Sequence, residues 1–152
     1  MFRINKLTDY ATMVLSAMTE CDADIHSAQQ LAADCHLETP TASKVLKLLA
    51  SAGLVESFRG AQGGYRLARP GSEISVADVL RAVEGPIGIT ECAAEPGLCS
   101  HESVCNLRGN WRRIAFAVEE TLEQVSVADM ARPLTPDCEM NLRLEPLERT
   151  HE

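Results

Sequence analysis

The chain has 152 residues, of which 45% are apolar, and its formal net charge is −8. This length fits one domain with a sizeable core, and the apolar fraction excludes a disordered chain. No run of apolar residues has the length of a signal peptide core or a membrane span, so we expect a cytoplasmic protein with no membrane partner. Its cysteines should stay reduced, and clustered cysteines then indicate metal binding or redox sensing.

The negative charge comes entirely from the second half of the chain. Residues 1–69 carry seven Lys or Arg and seven Asp or Glu, whereas residues 70–152 carry seven basic and fifteen acidic residues. Phosphate contacts act locally, because salt screens charges beyond about 8–10 Å. An acidic second half therefore does not prevent the neutral first half from binding DNA.

Apolar side chains recur at helical spacing over residues 7–20 and predict a first, amphipathic helix. Thr8 or Asp9 is its expected N-cap. Ser27 followed by Gln30 fits a capping box, which predicts a short second helix.

The third helix has clear start and stop signals. Thr39 is the expected N-cap, Pro40 the first helical residue, and Gly53 the end. Thr41, Lys44, Lys47 and Ser51 are expected to share its outward face. Two short helices joined by a brief turn, the second with polar and basic residues outward, are typical of a helix-turn-helix.

A β-hairpin is predicted directly after the third helix. The segments LVESF and YRLAR are strand candidates, and RGAQGG between them is a turn. Gly60, Gly63 and Gly64 allow the tip to turn sharply and to lie close to another surface. Arg59 and Arg66 are expected to place cations at that tip. A helix-turn-helix followed by such a hairpin is a winged helix.

We therefore expect the first half of the chain to bind operator double-stranded DNA. Arg59 is predicted to enter the minor groove at the wing tip, and Lys47 to contact phosphate. The full set of predicted DNA contacts is Thr39, Thr41, Ser43, Lys44, Lys47, Arg59 and Gly60. The competing interpretation is that the two lysines form an ordinary solvated helix face.

Two further helices are predicted in the second half. The first starts at Ser75 and stops at Gly85. The second is long, and its apolar residues form a heptad-like seam, which consists of Trp111, Ile114, Val118, Leu122 and Val125. Pairing of this seam with a second copy predicts a homodimer, and a place in the core is the alternative.

Three cysteines, Cys92, Cys99 and Cys105, are crowded among loop residues such as Pro96 and Gly97. Their gaps of six and five residues are wider than the paired spacing of structural zinc sites and suit an iron–sulfur cluster. From spacing alone the order of preference is a cluster, then zinc, then a disulfide switch. Three thiolates leave one ligand of a four-ligand site unassigned.

The three scattered cysteines and three of the four histidines are expected to have no role. Cys21, Cys35 and Cys138 are interpreted as small buried or neutral residues, and His26, His36 and His151 as surface residues. His101 lies inside the cysteine loop, where it is either a ligand or a plain polar loop residue.

Four features together resemble the iron–sulfur winged-helix regulators of the Rrf-two family, typified by IscR and NsrR. They are LTDYA, LVESFRGAQGGYRLAR, ISVADVLRAVEGP, and three cysteines before a long helix. The resemblance runs from about Met1 to Met130. The segments KLTDYATMVL, GPIGITEC and NWRRI are most similar to the SufR-type branch, which regulates the SUF system of cluster assembly.

The resemblance implies a homodimer that binds operator DNA and reports the state of a cluster. For that cluster we expect 2Fe–2S in preference to 4Fe–4S. Cys92, Cys99 and Cys105 match the cluster cysteines of the family, although the first gap is one residue longer than in some members. Arg108 stands where IscR-type members have a histidine ligand, and it has no usable lone pair. Asp9 stands where NsrR-type members supply an aspartate across the dimer, so the resemblance implies Asp9 as the fourth ligand.

The implied function is a cluster-dependent regulator, expected to repress SUF genes. We expect neither an enzyme nor a small-molecule substrate, because the sequence offers no nucleophile with its base. The alternatives are a nitric-oxide or redox-sensing repressor of the NsrR type and a zinc-stabilised winged-helix repressor. A cluster carrier without a DNA role is disfavoured by the glycine- and arginine-bearing wing.

The predicted fold is mainly α with a small β-hairpin. Its parts are a winged helix-turn-helix over 1–70, a connecting helix and linker over 71–90, a cluster-binding loop over 91–107, a dimerisation helix over 108–131 and a flexible tail over 132–152.

Overall fold

The computed structural model describes residues 3–133, which form a mainly helical fold with a two-stranded antiparallel hairpin, as predicted. The elements in chain order are α1 (Lys6–Met18), α2 (Ala28–Asp34), α3 (Thr39–Ser51), β1 (Val55–Phe58), β2 (Gly64–Leu67), α4 (Val76–Glu84), α5 (Glu91–Ala94), α6 (Arg108–Glu123) and α7 (Val127–Ala131), with 3-10 turns at Thr19–Cys21 and Gly71–Glu73. The predicted tail from residue 134 onward, with Cys138 and His151, lies outside the described residues, as does the side chain of Cys21. Within the described range, no helix has the length and apolar character needed to cross a membrane.

Helix α1 begins earlier than predicted. Its N-cap is Asn5, whose side-chain oxygen accepts a hydrogen bond from the Leu7 N–H group at 3.1 Å. Thr8 and Asp9, the predicted caps, therefore lie in the first turn. Asparagine caps a helix as well as aspartate or threonine does. Its upstream position leaves the Thr8 hydroxyl and the Asp9 carboxylate available for contacts outside the helix.

Helices α2 and α3 form the predicted helix-turn-helix pair. The capping box of Ser27 and Gln30 is present at the start of α2. The prediction of Thr39 as the cap of α3 was wrong, because the Ala42 N–H group bonds to the Glu38 carbonyl at 3.1 Å. That bond includes Thr39 in the helix and makes Glu38 the N-cap.

A third main-chain segment, at His26, pairs with the outer edge of β2. His26 exchanges two hydrogen bonds with Tyr65, both of 2.8 Å. A Cβ atom at position 64 would lie 2.4 Å from the His26 carbonyl oxygen, so Gly64 permits this close approach, as predicted. His26 was predicted to be a surface residue without a role. It is instead half-buried, and its backbone belongs to the sheet.

The core is formed by α1, α2, α3, α4 and the hairpin, with a contribution from α7. Its fully buried large side chains are Val14, Leu15, Met18, Leu31, Val45, Leu46, Leu49, Ile74, Val79 and Val127. Cys35 is buried in this cluster, as expected of a small apolar residue, and burial followed by the nearby Asp34 charge raises the pKa of its thiol. Helices α2 and α3 therefore pack on a core that they share with α1 and α4.

The helix predicted over residues 108–131 is two helices. Helix α6 ends at Glu123, and Ser126 opens α7 with a capping box. Val127 donates its N–H to the Ile74 carbonyl at 2.8 Å, and its side chain is fully buried. A continuous helix would carry Val127 away from the core, so burial of this side chain favours the break.

Candidate nucleic-acid interface and metal centre

The outer face of α3 presents two exposed lysines beside a groove. The groove has a volume of about 440 Å³ and is lined by Pro40, Ser43, Lys44, Lys47, Leu48 and Ser51. Neither lysine forms an ion pair within residues 3–133. Thr39 is exposed in the first turn, whereas Thr41 is half-buried and does not line the groove. This face presents cations and hydroxyl groups, which are the kinds of group that contact phosphates and base edges in protein–DNA complexes.

At the wing tip, Arg59 is exposed and Gly60 has a φ of +111°. Arg66 does not supply the second tip cation that the sequence predicted. Its Nη2 atom lies 2.7 Å from a Glu56 carboxylate oxygen, and its guanidinium lies 4.9 Å from the centroid of the Phe58 ring. The antiparallel register places Arg66 opposite Glu56, so the acidic neighbour offsets its charge.

The three loop cysteines lie in different settings. Cys92 belongs to α5 and is only 8% exposed, whereas Cys99 and Cys105 are half-buried in the segment of turns that follows. Within residues 3–133, no three His, Cys, Asp or Glu side chains are arranged so that they could hold a metal ion. A single chain thus does not bring together the predicted ligands Cys92, Cys99, Cys105 and Asp9.

The predicted ligands nevertheless fit an iron–sulfur group in their chemistry. All three cysteines are free thiols, and thiolates are the usual ligands of such clusters. Residues 95–107 form turns between α5 and α6, so Cys99 and Cys105 could approach Cys92 without melting a helix or separating a strand.

Glu102 organises the loop, although the sequence did not single it out. Its side chain is 14% exposed and pairs with Arg108, and its other oxygen accepts a hydrogen bond from the Gly97 N–H at 2.5 Å. Arg108, the first residue of α6, is thus tied to this loop through Glu102. A carboxylate and an arginine on either side of Cys105 were the signal that could have revealed this pair. His101 is exposed, and its Nδ1 atom lies 3.1 Å from the Ser100 hydroxyl.

Asp9 lies on the exposed side of α1 in a groove of about 710 Å³. The basic residues Arg3 and Lys6 line this groove, together with the apolar side chains of Leu80 and Met130. Because Asn5 caps α1, the carboxylate of Asp9 is not used as the N-cap of its own helix.

Helix α6 is covered on one side only. It packs against α4 and α5, and Ala115 is its buried residue. In the predicted seam, Trp111 is 37% exposed and Ile114 44%, and the other three residues are half-buried. None of the five seam residues belongs to the buried core of the single chain.

Comparison with known proteins identifies the family. The model of the Rrf2 (Rrf-two) family, described as iron-dependent transcriptional regulators, matches residues 4–133. The chain belongs to the Rrf2 family. It is 29% identical over 148 residues to the HTH-type transcriptional regulator NsrR of Halalkalibacterium halodurans, covering 95% of this chain and 99% of that one.

Solved structures of the Rrf2 family share the fold. CymR, the global cysteine regulator of B. subtilis, matches with a TM-score of 0.64 and 29% identity, covering 86% of this chain and 97% of that chain. T. potens IscR matches with a TM-score of 0.61 and 28% identity, covering 85% of each chain. This Rrf2 chain is accordingly a winged-helix, DNA-binding transcriptional regulator, and regulators of this fold are typically dimers.

Proposed function

We propose that this Rrf2 regulator carries an iron–sulfur cluster and adjusts its affinity for operator DNA to the state of that cluster. The observation that carries the proposal is the placement of three free thiols on one connection between α4 and α6. The cluster, when bound, would supply sensitivity to iron, oxygen or nitric oxide. The finer proposal, supported by the SufR-like segments of the sequence, is repression of SUF cluster-assembly genes.

The proposed ligands are Cys92, Cys99 and Cys105 of one chain and Asp9 of the partner subunit. Two observations support this role for Asp9: its side chain is exposed in an open groove, and it does not cap its own helix. The ion pair between Glu102 and Arg108 spans Cys105 and would tie this part of the loop to the start of α6. Arg108 is engaged in that pair and has no free lone pair for a metal.

The proposed DNA contacts use the neutral first half of the chain. The groove on α3 would face the major groove, with Lys44 and Ser43 near base edges and Lys47 at phosphate. Arg59 would enter the minor groove at the wing tip, where Gly60 lets the backbone approach closely. Thr39 and Thr41 lie in the first turn of α3, and their hydroxyl groups would contact the sugar-phosphate backbone of the DNA.

Purification without oxygen, followed by an absorption spectrum and an iron and zinc assay, tests the cluster. We expect a brown-red protein with iron and acid-labile sulfide, and a 2Fe–2S rather than a 4Fe–4S spectrum. A colourless protein with stoichiometric zinc would refute the cluster and favour the zinc-stabilised repressor.

Sensing of nitric oxide or of thiol oxidation is the second candidate function. It is favoured by the similarity to a protein named NsrR over almost the full chain and to one named a cysteine regulator. Binding to promoter DNA of SUF genes and of nitric-oxide detoxification genes, each with and without nitric oxide, separates the candidates. The SUF proposal fails if only the detoxification promoter is bound.

A further inference from the structure

One side of α4 carries three charged residues at intervals of three, and each contacts a different element. Asp78 accepts a hydrogen bond of 2.9 Å from Arg69, which follows β2. Arg81 donates to Glu119 at 2.6 Å and pairs with Glu123, both on α6. The third residue, at position 84, contacts α1. The wing, α6 and α1 are therefore all tied to one short helix.

Glu84 holds the first turn of α1. Its Oε1 atom accepts hydrogen bonds from the Asn5 N–H at 3.0 Å and from the Thr8 hydroxyl at 2.5 Å. Thr8 is 1% exposed, so its hydroxyl has little access to water and depends on this acceptor. The neighbouring residue is Asp9, and the position of its carboxylate follows from that of this turn.

Glu84 is also the point where α4 passes into the connection that carries the cysteines. Gly85, with a φ of +87°, ends the helix. Three residues later, a Cβ atom on Gly88 would lie 2.4 Å from the Cα atom of Ala94. The linker is thus packed directly on α5, the helix that contains Cys92. A displacement of α5 would therefore move the linker of residues 85–90, and this linker begins directly after Glu84.

We propose that Glu84 is a positioning residue that couples the cysteine segment to the first turn of α1 within the same chain. The coupling rests on the proposed function, since its purpose is to link the cysteine ligands of one site to the Asp9 ligand. Because α1 packs against α3, a change at the cysteines would reach the DNA-reading helix through this contact.

Hydrogen–deuterium exchange on the full-length protein without cluster or DNA tests the coupling. Glu84→Ala removes the acceptor, and Thr8→Val removes the donor while keeping a buried side chain of similar shape. We expect each variant to speed amide exchange on the order of tenfold in residues 5–9 and also in residues 91–107. The double variant should exchange no faster than Glu84→Ala alone, because Thr8→Val removes one of the two hydrogen bonds that Glu84→Ala already removes.

Asp129→Asn is the matched control, because it weakens the capping box of α7. It should speed exchange near residues 126–131 and leave the cysteine segment unchanged. Glu84→Gln keeps an acceptor oxygen and should fall between wild type and Glu84→Ala. If Glu84→Ala loosens α1 while residues 91–107 exchange at the wild-type rate, Glu84 is only a cap and the coupling is disproved. This readout needs no cluster, so a colourless protein with coupled exchange would disprove the proposed cofactor alone.

Discussion

Asp9 and His101 are the two candidates for the fourth ligand, and substitutions distinguish them. Asp9→Asn keeps the shape of the side chain but removes the charge and the strong oxygen donor. Because Asn5 rather than Asp9 caps α1, we expect a dimer of near-normal thermal stability whose cluster spectrum is shifted and whose cluster is lost faster in air. His101→Ala should change neither property. An unaltered cluster in Asp9→Asn with a labile one in His101→Ala would move the ligand into the loop.

The DNA face offers a comparison of three cations. Lys47→Ala should weaken binding to all sequences alike and lower the salt slope by about one unit, because it removes one phosphate contact. Lys44→Ala and Arg59→Ala should instead lower affinity for the operator. Arg66→Gln is the control, since Glu56 already offsets that charge. Fluorescence anisotropy at several salt concentrations measures these effects. Operator affinity that is unchanged in both Lys44→Ala and Arg59→Ala would refute the assignment.

Asp78 should make stability depend on pH in the acid range. Burial opposes its ionisation, but hydrogen bonds from Ser75 and the charge of Arg69 outweigh burial and hold its pKa below the ordinary 3.8. Its stabilisation is therefore present above that value and is lost as pH falls through the lower folded-state pKa. We expect Asp78→Asn to lower the unfolding midpoint in urea at pH 7, and the difference to shrink in strong acid. A pH-independent difference would contradict this.

At the scale of elements, α6 carries the dimer prediction. Its seam residues Ile114 and Val118 are exposed and half-buried in one chain, so a partner must cover them if the seam is an interface. Replacing both with Glu would bury two charges, which costs roughly several kcal/mol. We expect monomers in sedimentation experiments. The control is the double variant Asn110→Glu and Gln124→Glu, which adds the same charge at two exposed polar positions. It should leave the dimer intact.

Local rules also explain which elements were predictable. The capping boxes at Ser27 and Ser75 involve residues three positions apart, so the sequence contains the whole signal. The error at Thr39 is equally local. One main-chain hydrogen bond to the Glu38 carbonyl extends α3 by a residue at its start. The sequence was compatible with either Glu38 or Thr39 as the N-cap.

At the scale of the whole molecule, the proposed dimer requires a fixed spacing between the half-sites of its operator. Inserting about five base pairs between the half-sites turns one of them by about half a helical turn. The two winged helices of the dimer then cannot occupy both half-sites at once. Affinity should fall to that of a single half-site. Replacing five central base pairs without changing the length is the control and should have a smaller effect. Equal affinity for the inserted and parental operators would show that the heads bind independently.

The sequence by itself determined the winged-helix order, the neutral first half and the crowding of Cys92, Cys99 and Cys105, because each follows from local spacing and composition. It also carried the resemblance to the family that the comparison established. These features need no knowledge of which distant residues meet.

Only the tertiary structure decided the long-range partners. Glu84 meets Thr8 across 76 positions, and Arg81 meets Glu119 across 38. Many carboxylates in the chain had the chemistry to fill either place, and packing of the helices on a shared core selected these two. The return of α7 was decided in the same way, because burying Val127 outweighed continuing an exposed helix.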